Sequence, residues 1–305
     1  MKKGQRKITL KTLGEFGLIA KLAQKAFVGR NVIKGIGDDT AVLPFSSKKY
    51  LLLTTDMLCE GVHFTRQDDP ALIGHKALAC SLSDIAAMGG KGQAAVISIG
   101  LPKNISANFV EKIYFGINRL AKKFQTSIVG GDTISSPRLM INVALLGEVR
   151  KKYLVLRSGA KKGDQIFVTG PLGRSLVTKK HLSFVPRLKE ANYLVSHFKP
   201  TAMIDISDGL AADLGHILEE SHKGAVIDEP SIPMSKGATL KNALSDGEDF
   251  ELIFTLSKTQ AVNFFKQKKL KAFWIGEITA QTKGLYIRNL EGKIRRLIPS
   301  GYKHF

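Results

Sequence analysis

The first half of the chain contains an apolar segment that carries a carboxylate close to its end, Tyr50-Leu51-Leu52-Leu53-Thr54-Thr55-Asp56-Met57. The run of leucines after a lysine-rich turn predicts a strand over residues 50–57. Similar apolar runs predict further strands over residues 94–101 and 140–149, and a short strand leading into Gly130-Gly131-Asp132. Carboxylates at strand ends converge at one edge of a sheet, and we therefore expect Asp56 to lie at such an edge.

Two helices are predicted between these strands. The first covers residues 71–88, because Asp69 is a suitable N-cap, Pro70 fits the first turn and Gly89-Gly90 ends it. The second is amphipathic and covers residues 106–124. Alternation of such strands and helices predicts an α/β (α+β) fold class.

Lys151-Lys152 interrupts this pattern, and we place a domain boundary there. The predicted domains are residues 1–150 and residues 151–305. In the second domain, a strand is predicted over residues 165–169, and helices over about 209–222 and 258–269. The length of 305 residues is sufficient for two domains that each bury a core.

The composition is that of a globular protein with a strongly basic surface. Lys and Arg total 46 against 26 Asp and Glu, which gives a net charge of +20. Most of these cations are lysines, whereas base recognition favours arginine, and no nucleic-acid-binding motif is present. Cys59 and Cys80 cannot form a disulfide framework, and no apolar run is long enough to span a bilayer. We therefore expect a cytoplasmic protein that binds neither nucleic acid nor membranes.

The acidic residues are scarce and occur in short clusters with glycine, serine and threonine. The clustered acids are Asp38, Asp39, Asp56, Asp84, Asp132, Asp205, Asp208, Asp213, Glu248 and Asp249. Some have simple structural interpretations: Asp38-Asp39 and Gly131-Asp132 could form turns, and Asp208 could cap the helix that follows it. These alternatives stay open at this level.

Three of the clustered acids resist a purely structural interpretation. Asp56 and Asp205 end apolar strands, and Asp84 lies in a helix of small residues that packs closely and buries it. Two carboxylates about 4 Å apart repel by roughly 4 kcal/mol at an effective dielectric constant of 20. Such a group needs a divalent cation or cationic partners, and all-oxygen ligands favour Mg²⁺, which completes its shell with substrate phosphates. The residues alone therefore predict Mg²⁺-dependent phosphate chemistry.

Other nucleotide-binding and catalytic motifs are missing from the sequence. It contains no P-loop, no protein-kinase catalytic loop, no Gly-x-Ser-x-Gly and no His-Glu-x-x-His. Gly35-Ile36-Gly37 lacks the third glycine of a dinucleotide fingerprint. His63 follows Asp56 closely, although an isolated histidine is more often structural.

The clusters occur in an order that resembles the thiamine-monophosphate kinase family of the PurM-like, aminoimidazole ribonucleotide synthetase superfamily. The similarity extends from residue 14 to residue 305. Its segments are Gly14–Ile19, Gly37–Ala41, Thr54–Asp56, Glu60–Phe64, Ser83-Asp84, Gly130–Thr133, Arg157–Ala160, Asp205–Leu210, Gly247–Asp249 and the tail Gly301–Phe305. Each segment is weak evidence, but the ordered set is specific.

The resemblance implies an ATP-dependent transfer of the γ-phosphoryl group to thiamine monophosphate, giving thiamine diphosphate. It also implies a two-domain PurM-like fold and a homodimer formed by a sheet of the N-terminal domain, which binds ATP and Mg²⁺. Several Mg²⁺ ions would be needed, and K⁺ would stimulate the reaction. The nucleophile is a phosphate that is already ionised near neutral pH, so no general base is expected.

The resemblance also assigns roles to individual residues. The implied Mg²⁺ ligands are Asp39, Thr54, Thr55, Asp56, Asp84, Asp132, Asp205 and Asp208. The implied ATP contacts are Tyr114, Gly131, Arg157 and Ser207, and the implied thiamine-phosphate contacts are His63, Glu248 and Tyr302. Asp84, Asp56 and Asp208 are the predicted catalytic residues, with Asp84 bridging several metal ions.

Two departures from the family and two alternatives accompany this assignment. Tyr302 stands where the family often has Trp, and the segment between Gly170 and Pro200 is shorter than expected, which puts a helix there in doubt. One alternative is another ATP-using synthetase of the superfamily. The other is a basic nucleic-acid-binding protein on a degenerate fold, which the intact acidic residues disfavour.

Overall fold

The computed structural model describes residues 9–280 and 284–302. The basic start Met1–Lys7 and the last tail residues Lys303–Phe305 lie outside the described residues. The helices are α1 (Leu10–Leu13), α2 (Glu15–Ala23), α3 (Pro70–Ala87), α4 (Ala107–Phe124), α5 (Lys180–Ser183), α6 (Leu188–His197), α7 (Leu210–Ser221), α8 (Leu240–Ser245) and α9 (Lys258–Lys266). The strands of the first half are β1 (Ala41–Pro44), β2 (Lys49–Cys59), β3 (Lys91–Leu101), β4 (Ser127–Ser135) and β5 (Met140–Arg150). Those of the second half are β6 (Gln165–Val168), β7 (Ala202–Asp205), β8 (Lys223–Asp228), β9 (Leu252–Leu256), β10 (Phe273–Ala280), β11 (Leu285–Arg288) and β12 (Ile294–Arg296).

The first half forms a five-stranded sheet in the order β1-β2-β5-β3-β4. Neighbouring strands are antiparallel except β3 and β4, which are parallel. Apolar side chains alternate along β5, so one face of the sheet is buried under helices while the other face is exposed.

Helix α3 packs against α4 on the buried face of this sheet. The Asp69 side chain accepts a hydrogen bond from the Ala71 amide and caps α3, as the sequence predicts. A Cβ atom on Gly74 would lie 1.9 Å from the Ile113 carbonyl oxygen, so only glycine permits this close approach of the two helices. The small residues of α3 therefore allow a helix that is buried on nearly every side.

The second half forms a seven-stranded mixed sheet in the order β12-β11-β8-β10-β6-β9-β7. Strand β7 lies at one edge of this sheet and ends at Asp205, and α3 also packs against β7, α5 and α6. Leu82 of α3 shares one apolar cluster with Phe167 and Phe254 of the second sheet. Helix α3 therefore lies between the two halves and contributes to the core of both.

The fold class is confirmed, and most predicted elements appear within a few residues of their predicted bounds. The structure decides three points that the sequence left open. Gly131-Asp132 lies inside β4 rather than in a turn, because that segment pairs with β3. Helix α6 occupies the segment in which a helix was in doubt. Asp208 does not cap α7, since the capping position is Gly209 and no side chain bonds there.

The division into residues 1–150 and 151–305 stays a prediction, although each sheet lies within one of these ranges. Within the described residues, no helix is both long enough and apolar enough to cross a membrane.

Candidate active site

Strand β2, helix α3 and the end of β7 bring the predicted carboxylates together. Thr54 donates a hydrogen bond of 2.5 Å to Asp84. Two serines of α3 donate to carboxylates on the strands: Ser81 donates to Asp56 of β2 (2.6 Å), and Ser83 donates to Asp205 of β7 (2.5 Å). Each of these three carboxylates is thus oriented by a neutral hydroxyl group, which leaves its charge uncompensated.

Asp39, Asp84 and Asp205 form what we call the acidic cluster. One carboxylate oxygen from each lies within 4.8 Å of the others. Burial raises the pKa of Asp205 to about 8, and the neighbouring Asp39 adds to this effect. Burial also raises the pKa of Asp84 well above its ordinary value, and the charges of Asp56, Asp205 and Asp39 raise it further. The cluster is therefore unfavourable in its ionised form without additional positive charge.

The protein supplies one cation directly to this cluster. Arg157 donates a hydrogen bond of 2.8 Å from Nη2 to Asp39. Among the described residues, no Lys or Arg forms an ion pair with Asp84 or Asp205. The second oxygen of Asp39 is buried and has no hydrogen-bond partner within the described part of the chain. An all-oxygen donor set with an unpartnered buried oxygen fits a hard divalent cation such as Mg²⁺.

A cavity of about 310 Å³ joins these carboxylates to the predicted acceptor-binding residues. Its carboxylate side is lined by Asp56, Asp84, Asp205 and Asp208, together with Ser207. Its other side is lined by His63, Glu248 and Tyr302, the three predicted thiamine-phosphate contacts. The structure thus places nine of the predicted residues around one space, since Thr55 also lines it.

Asp208 also belongs to a second group at the start of α7. Single ligand atoms of Asp208, Asp213 and His216 lie within 4.8 Å of one another. Asp213 is buried and accepts hydrogen bonds of 3.0 Å from the amides of Asp208 and Gly209. Burial, assisted by the charge of Arg157, lowers the pKa of His216 to about 4. The two hydrogen bonds from the Asp208 and Gly209 amides to Asp213 hold the loop that carries Asp208 beside the cavity.

Three predicted residues do not join this assembly in the single chain, and a fourth, Thr55, lines the cavity although its side chain lies on the other face of the first sheet. Thr55 follows Thr54 on β2 and so points to the opposite, exposed face of the first sheet, where it contacts Asn142. Asp132 of β4 is exposed on that same face, because the register aligns it with Ser98, Asn142 and Met57. Gly131 also lies in β4, and Tyr114 is half-buried on α4.

Sequence reasoning missed one prominent charged residue, Lys76. It is completely buried in α3, and its ammonium group lies 2.6 Å from Glu248. Lys76, Cys80 and Asp84 are spaced at i, i+4 and i+8, so they share one face of the helix. That spacing was visible in the sequence and would have placed Lys76 on the side of Asp84.

Family models match most of the chain. Residues 37–149 match the N-terminal domain of the AIR synthase related proteins, and residues 151–287 match the C-terminal domain. With the mixed sheets and the acidic cavity, these matches define the class: the chain is an AIR synthase related protein.

Curated relatives narrow this class. The chain is 38% identical to the thiamine-monophosphate kinase of Buchnera aphidicola subsp. Schizaphis graminum, over 95% of this chain and 98% of that protein. It is 36% identical to the thiamine-monophosphate kinase of Aquifex aeolicus, over 97% and 99% of the two chains. The solved structure of AaThiL complexed with AMPPCP and TMP matches with a TM-score of 0.85 and 34% identity, covering 99% of this chain and all of that one.

The chain belongs to the thiamine-monophosphate kinase family. The resemblance noted from the ordered acidic segments is thereby confirmed, as is the mixed α/β fold with two AIR synthase related regions. The roles assigned to individual site residues stay predictions.

Proposed function

We propose that this protein transfers the γ-phosphoryl group of ATP to thiamine monophosphate and releases ADP and thiamine diphosphate. The observation that carries this proposal is the cavity that joins Asp84 and Asp205 of the acidic cluster to His63, Glu248 and Tyr302. One side of this cavity suits metal-bound phosphates, and the other offers an aromatic ring, an imidazole and a carboxylate to a cationic heteroaromatic acceptor. The relatives named thiamine-monophosphate kinase and the structure of AaThiL with AMPPCP and TMP support the same reaction.

The chemistry requires positioning more than proton transfer. An oxygen of the acceptor phosphate forms a bond to the γ-phosphorus, and the bond from that phosphorus to the β,γ-bridging oxygen breaks with its electrons retained by ADP. The acceptor phosphate has a second pKa of about 6, so its oxygen is already ionised and needs no base. The residues of the cavity must therefore bring two polyanions together in line.

The acidic cluster is suited to hold Mg²⁺ for this purpose. Asp39, Asp84 and Asp205 would supply the shared ligands, Asp56 and Asp208 line the cavity beside them, and Thr54 lies within hydrogen-bond distance of Asp84. Bound Mg²⁺ supplies the positive charge that offsets the phosphates and stabilises a loose transition state. We retain K⁺ as a further stimulating ion on the family resemblance alone.

We propose Arg157 and Ser207 as contacts of the nucleotide. Arg157 is held by Asp39 at the border of the acidic cluster, and Ser207 lines the cavity beside Asp205. Tyr114 and Gly131 keep the same proposed role, although neither lines this cavity within one described chain.

We also propose that the protein is a homodimer that forms through the exposed face of the first sheet. This face carries large apolar side chains beside Thr55 and Asp132, namely Leu53, Met57, Val96 and Ile134, each more than 40% exposed. A second copy seated there would cover these side chains and would place Thr55 and Asp132 at the interface. Sedimentation equilibrium of the wild type and of M57E tests this: we expect a dimer that M57E weakens, and a monomeric wild type would contradict the proposal.

An assay for thiamine diphosphate tests the function. The purified protein is incubated with ATP, Mg²⁺ and thiamine monophosphate, with and without K⁺, and the products are separated by chromatography. We expect thiamine diphosphate and ADP in equal amounts. If ATP is consumed only with another acceptor, the alternative of a different superfamily synthetase would replace this proposal. We expect the protein in the cytoplasmic fraction of its cell, where ATP and reduced thiols are found.

A further inference from the structure

Lys76 is a buried charge in the middle of the protein. Its side chain has no exposed surface, although lysine is rarely buried without a partner. A desolvated ammonium group is costly unless its hydrogen bonds are made. Here the Nζ atom donates hydrogen bonds to a Glu248 oxygen (2.6 Å) and to the carbonyl oxygen of His63 (2.8 Å).

These two partners are two of the predicted acceptor-binding residues, and they come from different halves of the chain. His63 lies in the loop after β2, in the first half of the chain, and Glu248 lies in the loop before β9, in the second half. Lys76 of α3 therefore joins two loops that are 185 positions apart in sequence (248 − 63) and that no strand pairing connects.

The other oxygen of Glu248 points to a ligand. Its Oε2 atom is buried and has no hydrogen-bond partner among the described residues, while the residue itself lines the cavity. Because Lys76 occupies one oxygen, the second has an orientation that is already fixed before a ligand arrives. A buried acceptor of this kind is costly unless a donor meets it.

The loop around Glu248 needs such an anchor because its backbone is in an uncommon conformation. Glu248 and Phe250 have φ angles of 55° and 50°, in the left-handed region that is unfavourable for residues other than glycine. The Glu248 amide donates to the Ser207 carbonyl oxygen (2.7 Å), which holds the main chain. The Lys76 ammonium holds the side chain.

We propose that Lys76 is a positioning residue for acceptor recognition: it fixes Glu248 and the main chain at His63 so that the unpartnered Glu248 oxygen receives the amino group of the acceptor's pyrimidine ring. This deepens the proposed function and rests on it. Lys76 acts through Glu248 and does not itself line the cavity. Its loss therefore weakens the binding of thiamine monophosphate and leaves the binding of ATP unchanged.

A double-mutant cycle tests this proposal. The KM for thiamine monophosphate, the KM for ATP and kcat are measured for the wild type, K76M, E248Q and the double variant K76M/E248Q. We expect K76M and E248Q each to raise the KM for thiamine monophosphate about tenfold or more, because a hydrogen bond to a charged group is lost. The KM for ATP should change less than about twofold, and K76M should add little in the E248Q background. K112M, which removes an exposed lysine from α4, is the matched control for loss of charge.

Each outcome has a defined meaning. If the wild type makes no thiamine diphosphate, the proposed function fails and this inference fails with it. If the wild type is active and K76M keeps its KM for thiamine monophosphate, only the inference is overturned. Independent, multiplying effects in the double variant would likewise overturn it. If K76M does not fold, K76Q replaces it, since an amide still donates a hydrogen bond; failure of both to fold would assign Lys76 a purely structural role and overturn the proposal.

Discussion

Two groups of buried carboxylates in this protein have opposite electrostatic arrangements. Glu251, which immediately precedes β9, is fully buried, yet Arg187 donates two hydrogen bonds to it (2.7 and 2.6 Å) and Lys180 a third (3.0 Å). Burial alone would raise the pKa of Glu251, but the bonds from Arg187 and the charge of Lys180 lower it below its ordinary value.

The acidic cluster has no comparable compensation. Asp84 and Asp205 accept bonds from hydroxyl groups, and their pKa values are raised rather than lowered. Where the chain supplies its own cations, as at Glu251, the carboxylate belongs to the structure. Where the carboxylates are held without cations, the missing charge must come from a ligand, and the difference separates a stabilising site from a binding site.

The largest expected effect comes from D84N. Loss of a shared ligand should reduce kcat more than about a hundredfold, which exceeds the usual effect of mutating a residue that only hydrogen-bonds to a metal ligand. It should also raise the Mg²⁺ concentration needed for the half-maximal rate. Initial rates of thiamine diphosphate formation over a Mg²⁺ titration measure both quantities. In the metal-free state, D84N should unfold at the same temperature as the wild type or higher, because a repelled carboxylate has been removed. Near-normal turnover with unchanged Mg²⁺ dependence would refute the role of Asp84.

R187M tests the buried Glu251 and its cationic partners. Removal of Arg187 leaves Glu251 buried with a weaker set of partners, and we expect a loss of about 3 kcal/mol in the free energy of unfolding. Urea unfolding monitored by circular dichroism measures this loss. The KM for thiamine monophosphate of the folded fraction should remain within about twofold, since Arg187 does not line the cavity. A stable R187M protein would mean that the Glu251 group is not a structural ion pair.

The smallest expected effect is the dependence of stability on pH and Mg²⁺. A carboxyl group whose pKa is raised on folding contributes stability that is complete below its ordinary pKa and is lost as the pH rises through the folded value. The pKa values of Asp38 and Asp205 are raised by burial to about 7 and about 8. Metal-free protein should therefore become less stable between pH 6.5 and 8, a window in which the folded His216, with its lowered pKa, is already neutral.

Mg²⁺ should reverse this loss of stability. Because metal binding competes with protons, 10 mM Mg²⁺ should raise Tm by a few degrees at pH 8 and by less at pH 6.5. Differential scanning calorimetry with EDTA or Mg²⁺ measures the difference. The D84N variant provides the control, since its Tm should respond less to Mg²⁺; equal responses of both proteins at both pH values would contradict the prediction.

The sequence was sufficient to predict much of the fold and the carboxylate side of the site. Helix α3 was predictable because Asp69, Pro70 and the terminal glycines mark its ends, and Asp84 was expected to be buried because its neighbours are small. Asp205 ends β7 as expected, whereas Asp56 lies inside β2 and meets α3 on the buried face of the first sheet.

Other features depended on tertiary contacts that a single sequence does not display. The ion pair between Lys76 and Glu248 joins distant segments, and nothing local to either residue identifies the partner. Thr55 and Asp132 lie on the exposed face because of the register of their strands. Alternation of side chains within one strand does not reveal which face packs against the helices. Helix α6 lies in the segment that is shorter than in the family. The length of that segment alone does not predict whether it is helical.

Helix α3 also sets a length. Lys76 and Asp84 are separated by eight positions of one continuous helix, and at a rise of 1.5 Å per residue their Cα atoms lie about 12 Å apart. In the proposed roles, Lys76 fixes the carboxylate that meets the ring end of an acceptor, and Asp84 holds the site where phosphate reacts. On that assignment we expect the helix to select acceptors by the distance between ring and phosphate, so that phosphate monoesters too short to reach both ends are poor substrates.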